Sequence, residues 1–118
     1  MTTERINALL AMLDRGQDSA LLRFSLGSEY ASAGEYGEAA EHLRRAVDLD
    51  RHYSAAWKML GRSLANTGRE NEAIAAFREG IASAEKKGDR QAAKEMTVFL
   101  RRLLKEQAES GEDRGEGL

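Results

Sequence analysis

The segment Trp57-Lys58-Met59-Leu60-Gly61-Arg62-Ser63-Leu64, followed by Ala73-Ile74-Ala75-Ala76-Phe77, decides how the chain is read. Trp57, Leu60 and Leu64 recur at three- and four-residue intervals and therefore share one face of a helix. Gly68 stands where that helix must end, since glycine adopts left-handed backbone cheaply. Ala73, Phe77, Gly80 and Ile81 then draw a second apolar stripe with the same period. Gly61 sits inside a helix at a cost of about 1 kcal/mol relative to Ala. Close approach of the neighbouring helix offsets such a cost, and Ala73 is the small residue expected to meet it.

Shifting the sequence by 34 residues repeats the pattern. Leu26-Gly27 falls on Leu60-Gly61, Ala31 on Ala65, Gly34 on Gly68, Glu38-Ala39 on Glu72-Ala73, and Arg44 on Arg78. The identities are few, but they occupy the places where two packed helices need small or specific residues. In the earlier copy Leu26 and Tyr30 form the first helix's face, and Gly34 stops it. A second helix, opening near Gly37-Glu38, carries Ala39, Leu43, Ala46 and Val47. Gly27 and Ala39 take the parts of Gly61 and Ala73.

Trp57-x-x-Leu60-Gly61-x-x-Leu64 with Ala73-x-x-x-Phe77 resembles the tetratricopeptide repeat signature, at that family's 34-residue period. Leu26-Gly27-x-x-Tyr30 with Ala39-x-x-x-Leu43 matches it again, Arg23 replacing the usual opening Trp. The usual proline near each unit's end is absent, with Arg51 and Glu85 in its place. The resemblance implies an all-α, right-handed solenoid of helical hairpins, with units at 20–53 and 54–87. About three units are normally needed for stability, so the flanks must supply cover. Ile6, Leu9, Leu10 and Leu13 give 4–15 an apolar face, closed by Gly16 with Asp18-Ser19 as a fresh N-cap. Residues 89–108 hold Ala92, Ala93, Met96, Phe99, Leu100, Leu103 and Leu104, and read as a C-terminal capping helix. Its register departs from a true third unit, because Lys94 and Glu95 stand where Leu60 and Gly61 stand in the second. The expectation is one domain over 1–109 with about six helices, then a disordered acidic tail at 110–118.

Composition agrees and excludes several chemistries. A chain of 118 residues with 42% hydrophobic and 32% charged residues supports one modest core. It has no Pro and no Cys, which removes disulfides, thiolate metal sites and a cysteine nucleophile. No apolar run approaches the ~20 residues needed to cross a bilayer, and Met1-Thr2-Thr3-Glu4-Arg5 lacks the pattern of a secretory signal. A cytoplasmic location is the default expectation. His42 and His52 show no metal-ligand spacing, and His42 is read as a surface residue because Ala39 and Leu43 take the inward face. No serine lies in a GxSxG context, and no phosphate-binding glycine loop occurs. No enzyme, cofactor or metal is therefore expected.

Charge is uneven. Residues 86–105 carry a local +5 and residues 106–118 a local −4, within a net charge of −2. A basic helix can contact nucleic acid, but no aromatic residues interleave with the basic ones, and the plainer reading is a solvated face. Neither nucleic acid nor membrane is expected as a partner.

The resemblance implies that the first helix of each hairpin lines a concave surface that holds a peptide or helix of another protein. The groove residues are then Leu21, Phe24, Ser28 and Ala31 of the first unit beside Ala55, Lys58, Arg62 and Ala65 of the second. Some family members grip a terminal carboxylate with a Lys, Asn and Arg clamp. Here Phe24 and Ser28 replace part of it, leaving Lys58 and Arg62 beside an aromatic, suited to an acidic residue or C-terminal carboxylate. The alternative is a self-associating module forming a homodimer through the C-terminal helix.

Overall fold

Ser19 opens the first hairpin. Its hydroxyl accepts the Leu22 backbone N–H at 3.1 Å, capping a helix that runs Ala20–Ser32. A computed structural model describes the backbone of residues 2–116 and the side chains of 3–110. Among them are six helices in chain order: α1 Thr2–Asp14, α2 Ala20–Ser32, α3 Tyr36–Leu49, α4 Ser54–Asn66, α5 Glu70–Lys87 and α6 Arg90–Glu116. The hairpins α2/α3 and α4/α5 repeat one turn chemistry. Gly34 and Gly68 both take φ +78°, and the residues after them, Glu35 and Arg69, donate their backbone N–H to Tyr30 and Leu64 at 2.9 Å. This 6→1 bond satisfies a carbonyl that the helix end would otherwise leave open.

The solenoid grows by stacking neighbours: α1 on α2, α2 on α3, α3 on α4, α4 on α5 and α5 on α6, while α2 meets α4 and α4 meets α6 one layer on. Two buried clusters follow from the matched stripes: the larger holds Leu43, Val47, Leu60, Leu64 and Phe77, and the smaller joins Leu22 and Leu26 to Ile6 of α1, with Tyr30 packed against both. Trp57 is buried too, and its indole N–H donates to the Arg51 carbonyl at 2.9 Å, tying α4 to the loop before it.

The close approach at the interior glycines differs in its partner from the expectation. A Cβ built on Gly61 would lie 2.6 Å from two ring atoms of Phe77, and one on Gly27 would run into the Leu43 side chain. Ala39 and Ala73 are buried, but the large residue one turn further fills the space each glycine leaves. A third close approach went unforeseen: a Cβ on Gly80 would meet Met96 Sδ at 2.6 Å and Trp57 Cβ at 2.7 Å. Met96 of α6 is fully buried against that notch, with Ala92 and Leu103 beside it in the core.

The C-terminal helix is longer than expected. Helical backbone continues to Glu116, through most of the segment expected as a disordered tail. No Pro interrupts that segment. Residues 117–118 of that expected tail lie outside the described backbone, as do the side chains from 111 onward. Among the described residues, no helix is long and apolar enough to cross a membrane.

Candidate functional site

Because α2 meets α4 and α4 meets α6, these three helices line one side of the stack, and the residues read as groove-facing fall along it. They differ in exposure along it. Leu21 is 65% exposed at the edge and Ala55 is exposed, whereas Phe24 is half-buried with its ring 4.9 Å from that of Tyr53. Ser28 lies between two depressions. One, of about 500 Å³, is shared with Phe24, Glu29 and the α1 residues Arg5 and Leu9. The other, of about 250 Å³, runs to Ala31, Tyr36, Met59, Arg62 and Asn66.

The two cations singled out in the sequence are both engaged by α6. Lys58 Nζ donates to Glu95 Oε1 at 2.9 Å, and this hydrogen bond holds the Glu95 carboxyl below its usual range. Arg62 lies over the ring of Phe99 with its guanidinium 5.1 Å from the centroid. The carboxylate foreseen on Lys58 is thus already supplied from within the chain, and the half-clamp of Lys58 and Arg62 is split.

Beyond Arg62 the groove deepens. A hollow of about 290 Å³ between α4 and α6 is lined by Arg62, Ala65, Asn66 and Glu70 on one side and by Phe99, Arg102 and Glu106 on the other. Its floor is the Phe77–Phe99 pair, stacked with centroids 5.6 Å apart and rings within 5° of parallel. Arg102 also approaches Phe99, at 5.8 Å. Two guanidiniums therefore flank one aromatic ring, and among the described residues neither makes an ion pair. Arg102 and Phe99 were missed as groove residues. Their signal was present: with the C-terminal helix placed beside α4, its i, i+3 spacing puts both on one side.

The other departure concerns His42, which is half-buried rather than a plain surface residue. Its ring stacks on Tyr30 with centroids 5.4 Å apart, and Arg23 Nη1 donates to His42 Nδ1 at 3.1 Å. Arg has no acceptor, so Nδ1 carries the lone pair and the imidazole is neutral in this contact. Burial first, and then the charge of Arg23, push the His42 pKa down. Arg23 also makes two bonds to Asp18, of 2.8 and 3.1 Å, and Arg45 reaches the same carboxylate at 3.4 Å. The hydrogen bond from Arg23 is the main cause of a lowered Asp18 pKa. This network takes the place that Trp57 fills in the second unit. Among the described residues no group of His, Asp and Glu could hold a metal ion.

With this geometry, the sequence pattern of the tetratricopeptide repeat matches residues 6–53 and 24–90. The chain is 51% identical over 98 residues to the TPR repeat-containing protein PA0015 of Pseudomonas aeruginosa, covering 83% of this chain and 93% of that one. The solution structure of BPP2914 from Bordetella parapertussis superposes with a TM-score of 0.75 at 47% identity, over 87% of this chain and 90% of that one. The crystal structure of YrrB, described as a TPR protein with an unusual peptide-binding site, shares the fold with a TM-score of 0.62 at 24% identity, over 87% of this chain and 60% of that one.

Proposed function

The chain belongs to the tetratricopeptide repeat family, whose members are generally non-catalytic protein-interaction modules, and we propose that it holds a peptide or helix of another protein in its concave groove. The observation that carries this reading is the α4/α6 hollow, where Arg62 and Arg102 both approach the Phe99 ring and, among the described residues, neither guanidinium makes an ion pair. Guanidiniums hold carboxylates through charge-assisted, often bidentate bonds. The stacked Phe77–Phe99 floor suits an apolar side chain next to that carboxylate. The ligand this favours is a peptide with an acidic residue or C-terminal carboxylate beside an apolar residue. A peptide-binding site described for YrrB is consistent with this use of the fold. The centre of the site moves accordingly, from Lys58 and Phe24 to Arg62, Phe99 and Arg102.

The test is affinity capture from lysate with quantitative mass spectrometry, comparing the wild-type chain with Arg62→Glu/Arg102→Glu. Arg62 and Arg102 are both exposed, so the double variant should stay folded, with a slight fall in melting temperature from the lost contacts with Phe99, while losing its enriched partners. An unchanged partner set would move the interaction surface out of the hollow.

A further inference from the structure

Each first helix of a hairpin is covered by the helix that follows it, α2 by α3 and α4 by α5. α6 takes the corresponding place in the next layer, packed on α5 and α4, and among the described residues no further helix packs on it. On the side away from α4 it carries a band of Ala93 and Leu100, which pack against the core and stay half-buried, with half-buried Thr97 and Leu104, 37% exposed, at its outer margin. At about 100° per residue these four lie within roughly 60° of the helix circumference. The Thr97 hydroxyl is satisfied within the helix, donating to the Ala93 carbonyl at 2.7 Å.

One edge of the band is basic. Arg90, Lys94, Arg101 and Lys105 fall within roughly 60° of one another along it. All four are exposed, and none makes a side-chain hydrogen bond or ion pair with another described residue. Elsewhere cations are commonly tied down: Arg23 and Arg45 to Asp18, Lys58 to Glu95, Arg69 to Glu72.

We propose that this face of α6 docks an amphipathic helix of a different protein, with an apolar stripe that covers the band and acidic residues along the edge facing Arg90, Lys94, Arg101 and Lys105. Such a helix completes the third hairpin from outside. The charges speak against a second copy. Two-fold symmetric antiparallel pairing of α6 brings each edge against its own equivalent. Laying the band on itself therefore sets Lys94 against Arg101 of the second copy, and the basic edges repel. An acidic edge converts the same four positions from repulsion to attraction. This surface is separate from the Arg62/Arg102 hollow, which lies on another side of α6.

The experiment uses the full chain and two synthetic helical peptides of about 20 residues, long enough to hold helical structure. Both carry Leu at i, i+3, i+4 and i+7; one has Glu along the flanking edge and the other Lys. Fluorescence anisotropy should show the Glu-edged peptide binding about tenfold or more tighter than the Lys-edged one. Lys94→Glu/Arg101→Glu should reverse that preference, while Arg62→Glu/Arg102→Glu should leave it intact. Equal affinity for both peptides overturns the proposal, as does loss of binding in the Arg62/Arg102 variant. A wild-type dimer in sedimentation equilibrium that Leu104→Ser dissolves would assign the face to a second copy. Wild-type binding to phosphatidylserine vesicles without any peptide preference would assign it to an anionic surface. Either of these results overturns the proposal.

Discussion

Gly61 offers the sharpest test of how the hairpins are held. A methyl group there would sit 2.6 Å from Phe77 Cε1 and Cζ and 2.8 Å from Cδ1, where ordinary carbon contacts lie near 3.5–4.0 Å. Phe77 is only 1% exposed and stacked on Phe99, so its ring cannot swing aside. Two effects then oppose each other in Gly61→Ala: a helix-propensity gain of about 1 kcal/mol and an overpacking cost of about 1–3 kcal/mol. Overpacking wins or nearly balances. In Gly61→Leu the propensity gain is similar, the volume is far larger, and destabilisation of about 3 kcal/mol follows. For a domain of this size that is a fall of roughly 10–20 °C in melting temperature. Gly37 is the control, a helical glycine with nothing within 4 Å of a built Cβ. Gly37→Ala should raise stability by about 0.4–1 kcal/mol.

Circular dichroism at 222 nm through thermal and urea unfolding measures each variant. Phe77→Leu supplies the second arm, since Leu43 already fills the equivalent place opposite Gly27. Gly61→Ala in that background should cost less than in the wild type, with a coupling of about 1 kcal/mol. Strict additivity, or a Gly61→Leu protein that melts with the wild type, refutes the assigned packing.

Lowering the pH from about 7.5 to 5.5 should destabilise the fold through His42, whose folded pKa lies below its unfolded value. The unfolded state then binds more protons, so stability falls as pH drops through the unfolded pKa, and His42→Gln should flatten the melting-temperature profile. Asp18 acts at lower pH: its depressed pKa stabilises the fold above its unfolded value and is lost as pH falls through the folded one, an acid limb that Asp18→Asn should remove. Lys58→Glu should lower the melting temperature slightly, because it sets like charges at the α4/α6 contact, and adding Glu95→Lys should restore it; no recovery in the swap would mean the pair carries no orienting role. Truncation after Lys87 should leave a molten or aggregated product that binds ANS and lacks near-UV signal, because it strips Met96 from the Gly80 notch. Truncation after Glu109 should unfold like the full chain.

The hairpins were legible because their constraints are local. A glycine at a stop, a glycine at a crossing and an alternation of apolar residues each act within one helix or its neighbour, and Leu26, Leu60 and Phe77 are buried as their spacing requires. Residues whose surroundings depend on α6 were harder. Glu95 and Lys58 are 37 residues apart, and their contact depends on the register at which α6 seats, which Met96 and Gly80 decide. The repeat pattern says nothing of that register, because α6 departs from it. Phe24 is similar: periodicity turns it toward the groove, but Tyr53, in the loop before α4, takes its ring. Arg23 was legible as a departure from the family pattern, though its bonds to Asp18 and His42 were not.

A solenoid of two hairpins has two ends, and they are finished differently. At the first, α1 turns Ile6, Leu9, Leu10 and Leu13 toward α2 and leaves Glu4, Arg5, Asn7, Ala8, Ala11, Met12 and Asp14 exposed, a cover of charged, polar and small residues with one methionine. At the second, α6 does for α5 what α4 does for α3, and among the described residues no helix packs behind it. Met96, Ala92 and Leu103 close the core from inside, while Leu100 and Leu104 remain between core and solvent. Leu104 is 37% exposed, as is Met12 of α1, so each terminal helix leaves a large apolar side chain partly at the surface, but only on α6 does a row of cations run beside it. The same helix supplies Phe99 and Arg102 to the hollow and a half-buried apolar band beside a basic edge, so both proposed contacts fall on the helix that departs most from the repeat.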